Sequence, residues 1–580
     1  MVFSTSFWQE CGAADYTLSN GETLSITNLT TTDNFVGPTE AGTSATLTLK
    51  NSSEVRFYTG NITGNITLYH TGGNIRAYNA YSGSATPFTG DVYLQGGNFY
   101  LSTGKELGTG TIYLNTNSHL VNEGDKKDDG TYTRNCVIDN NIVLSGTSEN
   151  TRTIRAGWNT KNGGTASMTL NGVISGAAQL QLQAGEGTPA TMYINGKNTY
   201  TGGTKLVGEK INTENAITGL DGPLFVLGDN SAFGTGTVTT AGGKVKVDVS
   251  GITALANNFT LTATETTIRN TGANNVVLGA SADNRTAWDV PSGKTLIFQN
   301  TGSGSLTLGG NTATTGWMLT GNGTVKFEDS ATVYLQSAAR ATSITGPTEE
   351  GEKLTLTIQH GEWAPYPCYT GKLSGNIDLY IYQATRFINA NSDFTGNIYT
   401  NNNIYFGTGA EMGNKKSNII TMSGGQIVNQ GQSNPVVPND IVTTGTGNIV
   451  IRAGWNLTSH GGGDKSSLTL TGDISGTKGI SYSNESNAGA IYLRGNNTYA
   501  GNTSITYGYT AATSANHRCW FGIGSDTAFS TGTVTVNTAI PTTVFNLETE
   551  ANETRTLNNA IVVSQNTLQF ANGGAGDGVI

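Results

Sequence analysis

The chain has 580 residues, with 31 Lys+Arg against 41 Asp+Glu, a net charge of −10, and 12% charged residues, about half the roughly 25% of an average globular protein. No basic cluster occurs, which argues against nucleic-acid binding, and no run approaches the ~18 apolar residues of a membrane-spanning helix. Gly (79 residues), Thr, Asn and Ser interleaved with Val, Ile, Leu, Tyr and Phe favour strands and tight turns over helices.

From the N-terminus, MVFSTSFWQECGAADYTLSNGE has neither a basic start nor a continuous apolar stretch and does not fit a signal peptide. Short apolar runs then recur every 10–15 residues: VRFY, ITLY, IRAY, VYLQ, FYLS and TIYL, then NIVL, SMTL, LQLQ and MYIN. Alternating runs of this length read as strands, and the Gly, Asn, Ser and Thr between them as turns. So many similar strands do not fit one two-sheet sandwich, and no compositional shift marks separate domains. The pattern predicts a β-solenoid in which each coil stacks on the last, strands about 4.8 Å apart. At roughly 20–25 residues per coil, about 25 coils would make a rod on the order of 120 Å long. Asn and Thr should stack at the corners, with Gly supplying left-handed turns.

The EGDKKDDGTYTRNC stretch predicts an exposed loop over Asp125–Thr133, because the second half of the chain has only QGQSNP there. Its Asp128–Asp129 pair reads as a solvated loop tip. Further on, the sequence repeats itself in strict order. GNITLY (Gly64–Tyr69) returns as GNIDLY (Gly375–Tyr380), and FTGDVY (Phe88–Tyr93) as FTGNIY (Phe394–Tyr399). RAGWN occurs at Arg155–Asn159 and Arg452–Asn456. LNGVISG (Leu170–Gly176) answers LTGDISG (Leu470–Gly476), and NTYTGGT (Asn198–Thr204) answers NTYAGNT (Asn497–Thr503). The reading is a tandem duplication: unit 1 over 1–280, linking coils over 281–309, and unit 2 over 310–580.

Catalytic constellations are absent from the sequence. The acids are scattered, the five histidines (His70, His119, His360, His460, His517) do not cluster, and no HExxH, GxSxG or P-loop occurs. The terminal GGAGDG touches a calcium-binding nonapeptide pattern once, out of register. Cys11, Cys136, Cys368 and Cys519 lie far apart without CxxC spacing and read as incidental thiols, with one long-range disulfide as the alternative. About a dozen Asn-x-Ser/Thr sequons permit glycosylation without arguing for it. RAGWN is the strongest ligand candidate: Trp158 and Trp455 would stack on sugar faces while Arg155 and Arg452 bind hydroxyls or carboxylates. The competing reading is scaffold, with the Arg fork satisfying corner carbonyls. Tyr200 and Tyr499 of the NTY motif read as corner plugs. A burst of aromatics without a counterpart in unit 1, GEWAPYPCY, adds Trp363, Tyr366 and Tyr369.

NTYTGGT after MYINGK, followed by LGDNSAFGTGTVT, resembles the autotransporter-associated β-strand repeat, with IYLRGNNTYAGNT, SDTAFSTGTVT and LNNAIVV as its second occurrence. The resemblance covers about 140–261 and 439–563. It implies a right-handed parallel β-helix in an exported bacterial surface protein. The expectation is therefore an all-β, elongated right-handed parallel β-helix made of two tandem units. Functionally it predicts a non-enzymatic extracellular or cell-surface stalk or fibre subunit. Its partners would be copies of itself, head-to-tail or lateral, with no cofactor, metal, nucleic acid or membrane insertion of this segment. An adhesin binding surface glycans is the alternative, and a β-helical polysaccharide lyase or hydrolase comes third.

Overall fold

The computed structural model describes the chain outside residues 1–13, 28–31, 59, 78–86, 116, 124–132, 159–164, 185–189, 209–222, 280–285, 311–316, 339–342, 359–367, 370, 383, 388–391, 414–415, 430–433, 455–466, 485–489, 508–517, 550–553, 573–576 and 580. It divides into two compact units: Met1–Gly279 with Thr286–Leu306, and Ala280–Arg285 with Thr307–Ile580. The described residues are strands and turns, with single 3-10 turns at Lys105–Leu107 and Ala410–Met412.

Each unit is a parallel β-solenoid. In unit 1 the first ladder runs through Ala45–Tyr58, Ile66–Ala77, Val92–Leu94, Ile112–Leu114, Ile142–Leu144 and Ile174–Gly176. The second ladder includes Gly97–Leu101, Ser118–Glu123, Thr151–Trp158, Gln179–Ala184, Thr204–Val207, Val238–Ala241, Phe259–Leu261 and Ala287–Asp289. The third joins Thr133–Ile138, Thr165–Leu170, Ala190–Ile194, Leu224–Leu227, Lys244–Asp248, Glu265–Asn270 and Thr295–Asn300. Every one of these pairings is parallel, and between Thr133 and Ala184 the chain passes through the third, first and second ladders in turn. Unit 2 repeats the plan: Leu354–Ile358, Ile377–Ile381, Ile398–Thr400, Ile420–Met422, Ile441–Thr443 and Ile474–Gly476 form its first ladder. Its second ladder includes Thr385–Phe387, Ile404–Phe406, Gln426–Asn429, Asn448–Ala453 and Gly479–Asn484.

The two-residue alternation explains the core. In-register stacking places Leu47, Leu68, Val92, Ile112, Ile142 and Ile174 in one inward column, none more than 1% exposed. Leu356, Leu379, Ile398, Ile420, Ile441 and Ile474 form the same column in unit 2. Each such side chain contributes about 1.5–3 kcal/mol by leaving water.

Corners turn backbone carbonyls away from the ladders, and Asn side chains satisfy them. Asn140 donates to the Gly108 and Gly110 carbonyls at 3.2 and 2.7 Å, and Asn257 to those of Gly234 and Gly236 at 3.1 and 2.9 Å. In unit 2, Asn418 donates to Phe394 and Gly396 at 2.9 and 2.6 Å. Asn195 donates to Asn171 and Asn171 to Asp139, a ladder of the expected kind. Gly176 and Gly476, the last residues of ISG in each unit, have φ of 111° and 106°. A Cβ there would stand 2.3 Å from the Leu144 carbonyl oxygen and 2.0 Å from that of Thr443, so both φ and space demand glycine.

Coils are longer than the expected 20–25 residues in places: equivalent corner residues are separated by 20, 30 and 32 positions in successive coils. The reason is the connection from the second ladder to the third. It shrinks to Gly242–Gly243 between Val238–Ala241 and Lys244–Asp248, and takes in all of 208–223 between Thr204–Val207 and Leu224–Leu227. Insertion there leaves the ladder register untouched. The Asp125–Thr133 insertion falls in this connection; 125–132 lie outside the described residues, and Thr133 opens a third-ladder strand.

Candidate functional site

RAGWN sits on the second ladder in both units. On Thr151–Trp158 the alternation turns Arg152, Ile154 and Ala156 inward and leaves Arg155 half-buried on the outer face. Arg452 takes the same place on Asn448–Ala453, and Gly157 and Gly454 follow with φ of 74° and 78°. Another arginine of the same strand binds a corner. Arg152, 2% exposed, donates Nε to the Leu114 carbonyl and Nη1 to that of Thr151, both at 3.1 Å, and Nη2 to that of Ser145. Burial lowers its pKa. Unit 2 has Ile449 at this register and serves the corner with Lys478, which donates to the Thr446 carbonyl, and Thr477, which donates to that of Gly445 at 2.7 Å.

Register places Arg155 in an outward column that the duplication retained. Unit 1 stacks Arg76, Tyr100, Val121, Arg155 and Gln183; unit 2 stacks Arg386, Tyr405, Val428, Arg452 and Ser483. The middle of each column is covered: Tyr100 and Tyr405 are 4% exposed, Val121 and Val428 0%. The Arg76 guanidinium lies 5.1 Å from the Tyr100 ring centroid. Asn98 and Asn403 donate to the Tyr100 and Tyr405 hydroxyls at 3.0 and 3.1 Å. His119, one column away, has its pKa lowered by burial and then by Arg155. Unit 2 places Gln426 at the corresponding rung, so this imidazole is not repeated with the arginines.

Other repeated polar groups serve the backbone. Tyr200 and Tyr499 are fully buried, and their hydroxyls bond Thr204 and Thr503 at 2.6 and 2.5 Å. Those threonines donate onward to the Phe233 and Phe529 carbonyls. Burial pushes both phenols up, Tyr499 to about 12. Replacing Tyr200 or Tyr499 by Phe should cost about 1–2 kcal/mol in denaturant unfolding, since the buried threonine loses one partner and keeps the other. Sequence reasoning missed Glu106 and Glu411, buried in the 3-10 turns. Glu106 accepts from the amides of Ser102, Thr103 and Gly104, and Glu411 from those of Gly407 and Thr408. The signal was present as S/G-T-G-x-E-x-G in both copies.

Of the remaining candidates, Trp363, Tyr366 and Trp455 lie outside the described residues. Trp158 and Tyr369 are placed by their backbones on Thr151–Trp158 and Cys368–Tyr369, Tyr369 opposite Phe387. Arg155 and the GEWAPYPCY aromatics belong to different units, and Arg155 and Arg452 occupy equivalent columns, one in each. Cys136 and Cys519 are each buried, and burial raises the Cys519 thiol; Cys11 lies outside the described residues, and Cys368 is placed by its backbone alone. Among the described residues no group of three or more His, Cys, Asp or Glu could hold a metal ion. No protein-family model, no curated protein and no solved structure matches the chain.

Proposed function

We propose that this chain is a non-enzymatic, extracellular structural β-solenoid, a stalk or fibre subunit of a bacterial surface. One observation carries the reading: the buried polar groups retained by duplication are spent on scaffold backbone. Glu106 and Glu411 bind amides, and Tyr200 and Tyr499 bind threonines that hold carbonyls. The resemblance to the autotransporter-associated repeat supports the cell-surface placement. Self-association rests on a general property of stacked parallel strands, whose unpaired edges accept a further strand.

Negative-stain micrographs of the purified chain test this. Filaments or particles in head-to-tail strings are the expected result. Compact monomers at every concentration, or release of reducing or unsaturated sugars from polysaccharides, would overturn it.

A further inference from the structure

The first ladder carries, on its outer face, a feature that neither the scaffold role nor self-association uses. Tyr69, Tyr93 and Tyr113 stand in register on successive coils of unit 1. Their rings stack at 4.6 and 4.5 Å between centroids, with interplanar angles of 8° and 5°. Unit 2 has Tyr380 over Tyr399 at 4.6 Å and 15°. All five rings are half-buried. The duplication kept most of the column in register: Thr48 precedes the stack in unit 1 and Thr357 in unit 2, Tyr113 is replaced by Thr421 in unit 2, and Val143 with Ser175 and Val442 with Ser475 then complete the two columns.

We propose that these two tyrosine columns are twin binding sites for an extended, neutral polysaccharide chain. The geometry narrows the ligand class in three steps. The ring faces are closed by each other and by the flanking Thr48 and Val143 in unit 1 and Thr357 and Thr421 in unit 2, so a ligand meets ring edges and hydroxyls. The hydroxyls stand one per coil, a row of donors and acceptors that a linear polyol follows and a single sugar does not fill. Asp91 adjoins Tyr93 in unit 1, and in unit 2 Asp378 beside Tyr380 is neutralised by Lys353 at 2.9 Å. The Asp91 carboxylate, the neutral Asp378–Lys353 pair and a net charge of −10 on the whole chain favour a neutral glycan over an anionic one. Tyr382, 50% exposed and two residues from Tyr380, widens the unit 2 surface. Stacking fixes the rings before binding, which lowers the entropy that a ligand would otherwise have to offset.

This inference stands independently of the filament reading, since binding needs only the folded chain. The experiment is titration calorimetry of the full chain with cellohexaose, mannohexaose and hexagalacturonate, alongside Tyr93→Phe, Tyr399→Phe and the double Phe variant. Phe keeps the stack and removes the hydroxyl, so thermal unfolding should stay unchanged while each single variant weakens its site about 3- to 10-fold. The expected result is binding of at least one neutral hexamer and its loss in the double variant. No binding of either neutral hexamer, preference for hexagalacturonate, or undiminished binding by the double variant would each overturn the proposal.

Discussion

Replacing Glu106 by Ala destabilises unit 1 by about 3–5 kcal/mol, because the carboxylate is the acceptor for buried amides that have nowhere else to turn. Glu106 is 2% exposed. One of its oxygens accepts from the Ser102 and Thr103 amides at 3.2 and 3.0 Å, the other from the Gly104 amide at 2.7 Å. The Ser102 and Thr103 hydroxyls add further bonds. Glu106→Gln keeps one acceptor oxygen and brings an NH2 against the remaining donors, so it falls between wild type and Ala. Glu411→Ala does the same to unit 2, where the carboxylate accepts from the Gly407 and Thr408 amides and the Thr408 hydroxyl. Hydrogen exchange read by mass spectrometry separates the two: Glu106→Ala should release the amides of 97–114 while those of 404–422 keep wild-type protection. Equal protection of 97–114 in wild type and variant would show that the turn has another way to satisfy its amides.

Acidification weakens unit 1 through His70. This imidazole is 0% exposed, stacked between Leu49 and Leu94 and edge-on to Phe99 at 5.7 Å. Burial pushes its pKa down from 6.5 to about 4, with the backbone of Gly72 and Gly73 opposing the shift. Lys50, next to Leu49 in the chain, is exposed, and Arg76, six residues beyond His70 on the same strand, is half-buried. Above pH 6.5 the ring is neutral folded or unfolded, so its titration takes nothing from stability there. As pH falls from 6.5 towards 4, the unfolded chain takes up a proton that the fold refuses, and stability drops by about 3 kcal/mol in total. Below the folded value the loss stops growing. Unit 2 carries Ile381 at this rung, between Ile358 and Thr400. His70→Ile should therefore remove this part of the acid sensitivity, read as the difference in urea midpoint between pH 7 and pH 4. An equal fall in wild type and variant would assign the acid effect to other groups.

The two predictions also mark where sequence reading reached and where it stopped. Period-two runs such as ITLY and VYLQ, separated by Gly and Asn, were legible as stacked strands because every coil must bury the same alternate positions. The duplication was legible too, and with it the equivalence of Arg155 and Arg452. The corner role of Arg152 was not. Arg152 and Arg155 are three residues apart on one strand, and only the register of Thr151–Trp158 on Gln179–Ala184 shows that Arg152 points inward. Glu106 was missed because a lone Glu in a Gly-Thr turn resembles a solvated loop until the 3-10 turn folds amides around it.

The sequence by itself determined the class of fold, the doubling of the unit and the corner chemistry of Asn and Gly. Those features follow from local periodicity and from backbone demands that each coil meets in the same way. Only the tertiary structure decided which residues share a column. Tyr69, Tyr93 and Tyr113 are 24 and 20 positions apart, a spacing set by connections of unequal length between the ladders. Stacking brings together side chains whose separation along the chain carries no fixed period, and so the aromatic columns, the Arg–Tyr–Val–Arg columns and the buried His70 became visible only once the coils were laid on one another.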